Sequence, residues 1–343
     1  MNSTARLLAG LAPTHADHAK LAAEKTWRNH AALMQRSWSQ PRDGQLAAMK
    51  AWRKTSLPAQ CPSGPTLLYP FSGPDFLNVY TLFPDCSTYV LFGLESVGAM
   101  PDPVAMTPQE FTQVLADMRR TMINLFARNY FVTTTMKKDF KSSQLRGILP
   151  VLAVSMALAG VEVVGIGPSP IPHASGRQHD LDGVTVDFRA PGSAQVRRLV
   201  YFSLDASDKS LADYPQFLDY LRKLGPTATL LKSASYLLHI SEFRKMRETL
   251  FDVSTFLLQD DTGLPYAELR KRGWQMRVYG NYGVPISPFA NKYQKTLADA
   301  YASGSPPALP FRFGYQRDQG ENYSSLMIGR RPPAAAQPRP DAR

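Results

Sequence analysis

With 343 residues, 44% of them hydrophobic and 20% charged, the chain can form one large α/β domain with extensions or two domains. Its net charge of +11 comes from scattered lysines and arginines, with no continuous basic helix face and no RRM-type aromatic signature, so specific nucleic-acid binding is not expected. No apolar run reaches the ~18 residues of a membrane span, and the LLAGLA patch near the start is shorter than a secretory h-region. A cytoplasmic address is therefore the default, reversed if a leader has been omitted.

In chain order, residues 1–56 read as a helical arm rich in Ala, Leu, Lys and Glu. Trp27, Trp38 and Trp52 are its large apolar anchors and are expected to staple it onto the main domain. Pro41-Arg42-Asp43-Gly44 predicts a break between two helices. The apolar run 66–71 suits a buried strand, and Ser72-Gly73-Pro74-Asp75 a tight turn. Phe76, Leu77, Val79, Tyr80 and Phe83 then repeat at helical spacing until Pro84-Asp85. A second strand, 88–94, ends on Glu95. Thr107-Pro108-Gln109-Glu110 looks like a capped helix start, followed by an apolar stripe from Phe111 to Phe126.

Residues 131–136 read as a strand or extended loop, 145–159 as an apolar helix stopped by Gly160, and 161–166 as a further strand. The segments 184–189 and 197–204 flank Pro191-Gly192-Ser193 as a hairpin whose second arm is apolar enough for the main sheet. Beyond it come helix 214–224, strand 228–231, helix 236–250, strand 254–258 and strand 275–279, and then glycine- and proline-rich chain. Residues 331–343 are expected to be disordered. The pattern predicts a Rossmann-like α/β domain over 57–330, its sheet mostly parallel with helices on both faces. The inserted β-hairpin puts an antiparallel element near one edge, and the N-terminal helical arm precedes the domain.

In such a sheet ligands bind at the carboxyl ends of the strands, near the point where strand order reverses. The residues that follow the strands include Ser72, Gly73 and Asp75; Glu95; Asp205 and Asp208; Lys232 and Ser233; and Asp260, Asp261 and Thr262. Gly73 lets the backbone approach a ligand, and Glu95, about twenty residues on, sits where an acid bonds ribose hydroxyls. Strand, glycine turn, helix and strand ending in a carboxylate resemble the first half of a class I S-adenosylmethionine-dependent methyltransferase, with its G-x-G-x-G reduced to Gly73. The resemblance covers some thirty residues. It implies S-adenosylmethionine as cofactor, its polar tail held by Ser72, Gly73 and Asp75 and its ribose by Glu95. Asp205 and Lys232 then face a small-molecule acceptor as the catalytic candidates.

Two other readings stand beside it. Asp205, Asp208, Asp260 and Asp261 are chemically sufficient for a divalent-metal-dependent hydrolase or phosphotransferase, although an acidic turn capped by Thr262-Gly263 explains two of them without a metal. His173 and His179 lie in a loop, and no zinc spacing occurs, so no metal ligand is assigned. Cys61 and Cys86 each precede a predicted strand. If those strands are parallel neighbours, the two sulfurs share one sheet edge and can pair in an oxidising compartment. That pairing supports a non-catalytic, exported binding or structural protein.

Overall fold

The computed structural model describes residues 1–57, 61, 65–128, 145–176, 179–315 and 324–332. The expected segment 131–136 and most of the tail, from 333 on, lie outside them. The two leading apolar runs form parallel neighbours, β1 (Thr66–Tyr69) and β2 (Thr88–Gly93), in register from Thr66↔Thr88 to Tyr69↔Leu91. Every residue of β1 is buried, as befits a strand covered on both faces. The other strands are β3 (Glu162–Pro168), β4 (Gly183–Arg189), β5 (Val196–Ser203), β6 (Thr227–Leu231), β7 (Ser254–Gln259), β8 (Gln275–Asn281) and β9 (Ser324–Arg330). They make one sheet in the order β3-β4-β5-β2-β1-β6-β7-β9-β8.

The five central strands, β5, β2, β1, β6 and β7, are parallel. The pairs β3/β4, β4/β5, β7/β9 and β8/β9 are antiparallel. The sheet is therefore mixed rather than mostly parallel, and its antiparallel strands lie at both edges rather than one. At one edge the hairpin β4–β5 forms as expected, with β5 against β2, and β3 adds outside it instead of entering the parallel set. At the other edge β9, unforeseen in the sequence, inserts between β7 and β8.

Alternation along the strands sorts the core into two layers. Leu67, Tyr69, Leu91, Tyr201 and Leu230 face one way; Leu68, Val90, Val200 and Leu257 face the other. The first layer is covered by α1 (Asn2–Leu8), α2 (Ala16–Ala22), α3 (Lys25–Pro41), α4 (Ala47–Ser56), α5 (Phe76–Leu82), α6 (Pro108–Arg128) and α7 (Leu149–Leu158). The second is covered by α8 (Pro215–Lys223), α9 (Arg244–Val253) and α10 (Tyr266–Lys271). The segment read as helix 236–250 starts as two 3₁₀ turns, because extended Ile240 splits it before α9.

The arm helices belong to the same apolar cluster as the sheet. Trp38 packs on Phe126 at 5.4 Å, and Trp52 meets Tyr279 and Phe311 edge-on at 5.2 and 5.6 Å. At Pro41 the chain does not break. It runs into a π turn, Arg42–Leu46, whose wider ring accommodates a residue with no N–H to donate, and continues directly as α4. Cys61 and Cys86, just ahead of β1 and β2, form a disulfide with their Cα atoms 5.1 Å apart.

Candidate functional site

After Tyr69 the chain leaves β1 through two left-handed residues, Phe71 (φ +56°) and Gly73 (φ +52°), and reaches Asp75, the N-cap of α5. Asp75 is more than a cap. Its Oδ2 accepts from Tyr69 Oη at 2.9 Å and from Lys232 Nζ at 3.0 Å, while Asn78 Nδ2 reaches Oδ1 at 2.9 Å. The Asp75–Lys232 ion pair is almost wholly enclosed, with side chains 3% and 1% exposed. Burial, and Asp75 beside it, push the Tyr69 phenol well above its ordinary range, so it stays a hydroxyl donor.

At the end of β2, Gly93 permits a close approach. A Cβ there would lie 2.8 Å from Glu95 Oε2 and 3.1 Å from the Gly73 nitrogen. Glu95 is buried, and Tyr201 from β5 donates its hydroxyl to the Glu95 carbonyl at 2.9 Å. Asp205, after β5, is exposed and accepts from the Ser207 N–H at 3.0 Å. Ser233, which follows Lys232 just past the end of β6, has φ +62° and donates its N–H to Asp260 Oδ2 at 3.0 Å.

These strand ends enclose a cavity of about 230 Å³. All six residues singled out in the sequence, Ser72, Gly73, Asp75, Glu95, Asp205 and Lys232, line it. Phe71, Leu204, Leu237 and Phe243 supply its apolar wall. Among the described residues, only Phe71 and Ser233 combine a side chain with positive φ, and both are on this wall. Backbone strain of this kind gathers where a binding site uses it. Sequence reasoning places Ser233 among the strand-end residues and Phe71 only in the apolar run 66–71, and nothing local in the sequence reports a left-handed φ at a phenylalanine or a serine. Of the aromatic segments near the C-terminus, Tyr315 lines the cavity, Phe313 is buried with Lys232 Nζ 5.5 Å from its ring centre, and Phe311 is buried against Trp52.

The other carboxylates do not join this set. Asp208 accepts from the Lys245 N–H at 2.8 Å, at the start of α9. Asp260 lies behind the wall, its Oδ1 taking the N–H and hydroxyl of Thr262. Asp261 is held by the hydroxyls of Tyr236 and Ser325, and burial together with Asp260 pushes its carboxyl up to about 7. His239 bonds the Gly263 carbonyl, and burial pulls its ring down to about 4. His173 turns to Ser175 and lies away from the cavity. Among the described residues no group of three or more His, Cys, Asp or Glu is placed to hold a metal ion. No helix among them is long and apolar enough to cross a membrane. No family model, curated protein or solved structure matches the chain.

Proposed function

We propose that the chain is a transferase that binds S-adenosylmethionine in this cavity and methylates a small-molecule acceptor. One observation carries the reading. Glycine turn, ribose-type acid and polar strand ends converge on a single cavity at the carboxyl ends of β1, β2, β5 and β6, where strand order reverses between β1 and β6. Numbered along the chain without β3 and β4, the remaining strands lie 3-2-1-4-5-7-6, with strand 7, β9, antiparallel to both its neighbours. The β1–α5–β2 unit that carries the class I methyltransferase resemblance lies at the centre of this sheet, which supports the reading.

Charge and size support an adenosyl ligand over NAD or ATP. The described lining residues include three carboxylates, Asp75, Glu95 and Asp205, against one ammonium, Lys232. Such a cavity favours a ligand with a cationic centre and opposes phosphates. Its volume falls below the ~300–1,000 Å³ of pockets for drug-sized ligands, which suits one nucleoside better than a dinucleotide. When bound, the cofactor supplies an electrophilic methyl group. Glu95 would accept from the ribose hydroxyls, and the missing Cβ of Gly93 leaves the Glu95 carboxylate and the Gly73 nitrogen room to come together. Asp75 holds Lys232 in place rather than reaching for the ligand, because its oxygens already serve Tyr69, Asn78 and Lys232. Asp205 at the open side would take the proton that the acceptor gives up.

A thermal-shift titration with S-adenosylmethionine, S-adenosylhomocysteine, NAD and ATP tests this. The adenosyl ligands should raise stability by ~2.7 kcal/mol at a hundredfold excess over Kd, and Glu95→Ala should abolish the shift. A shift with NAD or ATP alone, or an adenosyl shift that survives Glu95→Ala, would overturn it.

The Cys61–Cys86 bond favours a second reading, a non-catalytic binding protein of an oxidising compartment. Mass spectrometry of native material without reductant decides that point. A mass two hydrogens below the dithiol form is the expected result for it, and two alkylatable thiols would remove its basis.

A further inference from the structure

We propose that Phe71 selects a planar heteroaromatic group in the ligand, offering its ring as a stacking surface inside the cavity. The inference rests on the cavity being a ligand site, as proposed above, but not on the ligand being adenosyl. Phe71 is half-buried, lines the cavity and sits directly after Pro70 in the turn that leaves β1. Its φ of +56° is a conformation that glycine adopts freely and a bulky side chain resists. Immediately afterwards the Ser72 N–H returns to the Phe92 carbonyl at 3.0 Å. The left-handed residue thus lets the chain swing out and rejoin β2, with the ring at the apex of the excursion. A glycine would make the same turn without strain; what the phenylalanine adds is the ring.

The surroundings fix that ring without covering it. Phe92 and Phe243 approach it at 5.9 and 6.0 Å, with interplanar angles of 62° and 65°. Both contacts are steep, so neither neighbour lies flat on Phe71, and a bound ring can stack there. Glu95, two residues past the end of the adjacent strand β2, lines the same cavity. A heterocycle on Phe71 therefore leaves an attached sugar in the cavity that the carboxylate lines. The excess of carboxylates over ammonium in the wall further favours a neutral or protonated heterocycle over an anionic one.

Equilibrium binding of adenine, 2-aminoquinoline and adenosine to the full chain tests the assignment, in wild type, Phe71→Leu, Phe71→Gly and Glu95→Gln. Phe71→Leu keeps an apolar side chain at the same position, and Phe71→Gly relieves the backbone. Both should weaken adenine and 2-aminoquinoline about tenfold or more, the scale of a lost base–aromatic stack. Phe71→Leu should keep a single cooperative unfolding transition, which separates lost recognition from lost folding. Glu95→Gln should weaken adenosine alone. If wild type binds the two sugar-free heterocycles but no adenosyl compound, the cofactor reading fails and this one stands. If wild type binds neither heterocycle, or Phe71→Leu binds them as tightly as wild type, the assignment of Phe71 is overturned.

Discussion

Lys232 and Asp75 are joined far from one another in sequence and almost completely shut off from water. Two opposite charges in that position are a delicate arrangement. Their attraction offsets a large desolvation cost, and removing one strands the other at a cost of ~3–5 kcal/mol. Asp75→Asn should therefore lower the unfolding free energy by about 3 kcal/mol in urea titrations. The double variant Asp75→Asn/Lys232→Met should lose less than Asp75→Asn alone, because no unpaired ammonium is left. Additive losses would show that the pair is not coupled. Part of the cavity lining was readable at this scale, since Ser72, Gly73, Glu95 and Lys232 each follow a recognisable strand. What Asp75 does was not. Its partners Tyr69 and Asn78 are close in sequence, but Lys232 arrives through the sheet, and only the fold turns a candidate ligand contact into an internal anchor.

Among the elements, those with a strong apolar period were legible: β1, α5 and β2 fall within one or two residues of their expected bounds. The misreadings have physical causes. Val-rich β3 announces a strand, but nothing in 161–166 says which neighbour it takes or in which direction. β9 begins with Ser324 and Ser325, both buried in the structure, and that polar start masks the short apolar run behind them. At Pro41 a proline next to Asp-Gly signals a stop, yet the π turn absorbs it. Leu46 stays in the core, and Gln45 donates to the Arg312 carbonyl. The arm is held through contacts of this kind, of which Trp52 is the largest. Trp52→Ala would leave Tyr279 and Phe311 without their shared partner. It should cost ~3–5 kcal/mol, seen as a lower urea midpoint. A loss under ~1 kcal/mol would mean that the arm does not support the sheet.

For the whole molecule, composition and alternation were enough to foresee a single large sheet covered on both faces, because buried strands and amphipathic helices leave few other arrangements. The edges were beyond reach. An antiparallel strand and a parallel one can carry the same residues, and the choice is made by chain segments more than fifty residues apart, as in β9 against β7. That insertion has a bearing on how the chain assembles during synthesis. β7 and β8 emerge from the ribosome well before the strand that separates them, so β7 waits with a bare hydrogen-bonding edge and β8 has no neighbour. The sheet is closed from within by the final described strand, a long-range pairing of the kind that makes folding slow. Until β9 arrives, the nascent chain carries an adhesive flank that must be kept from other chains.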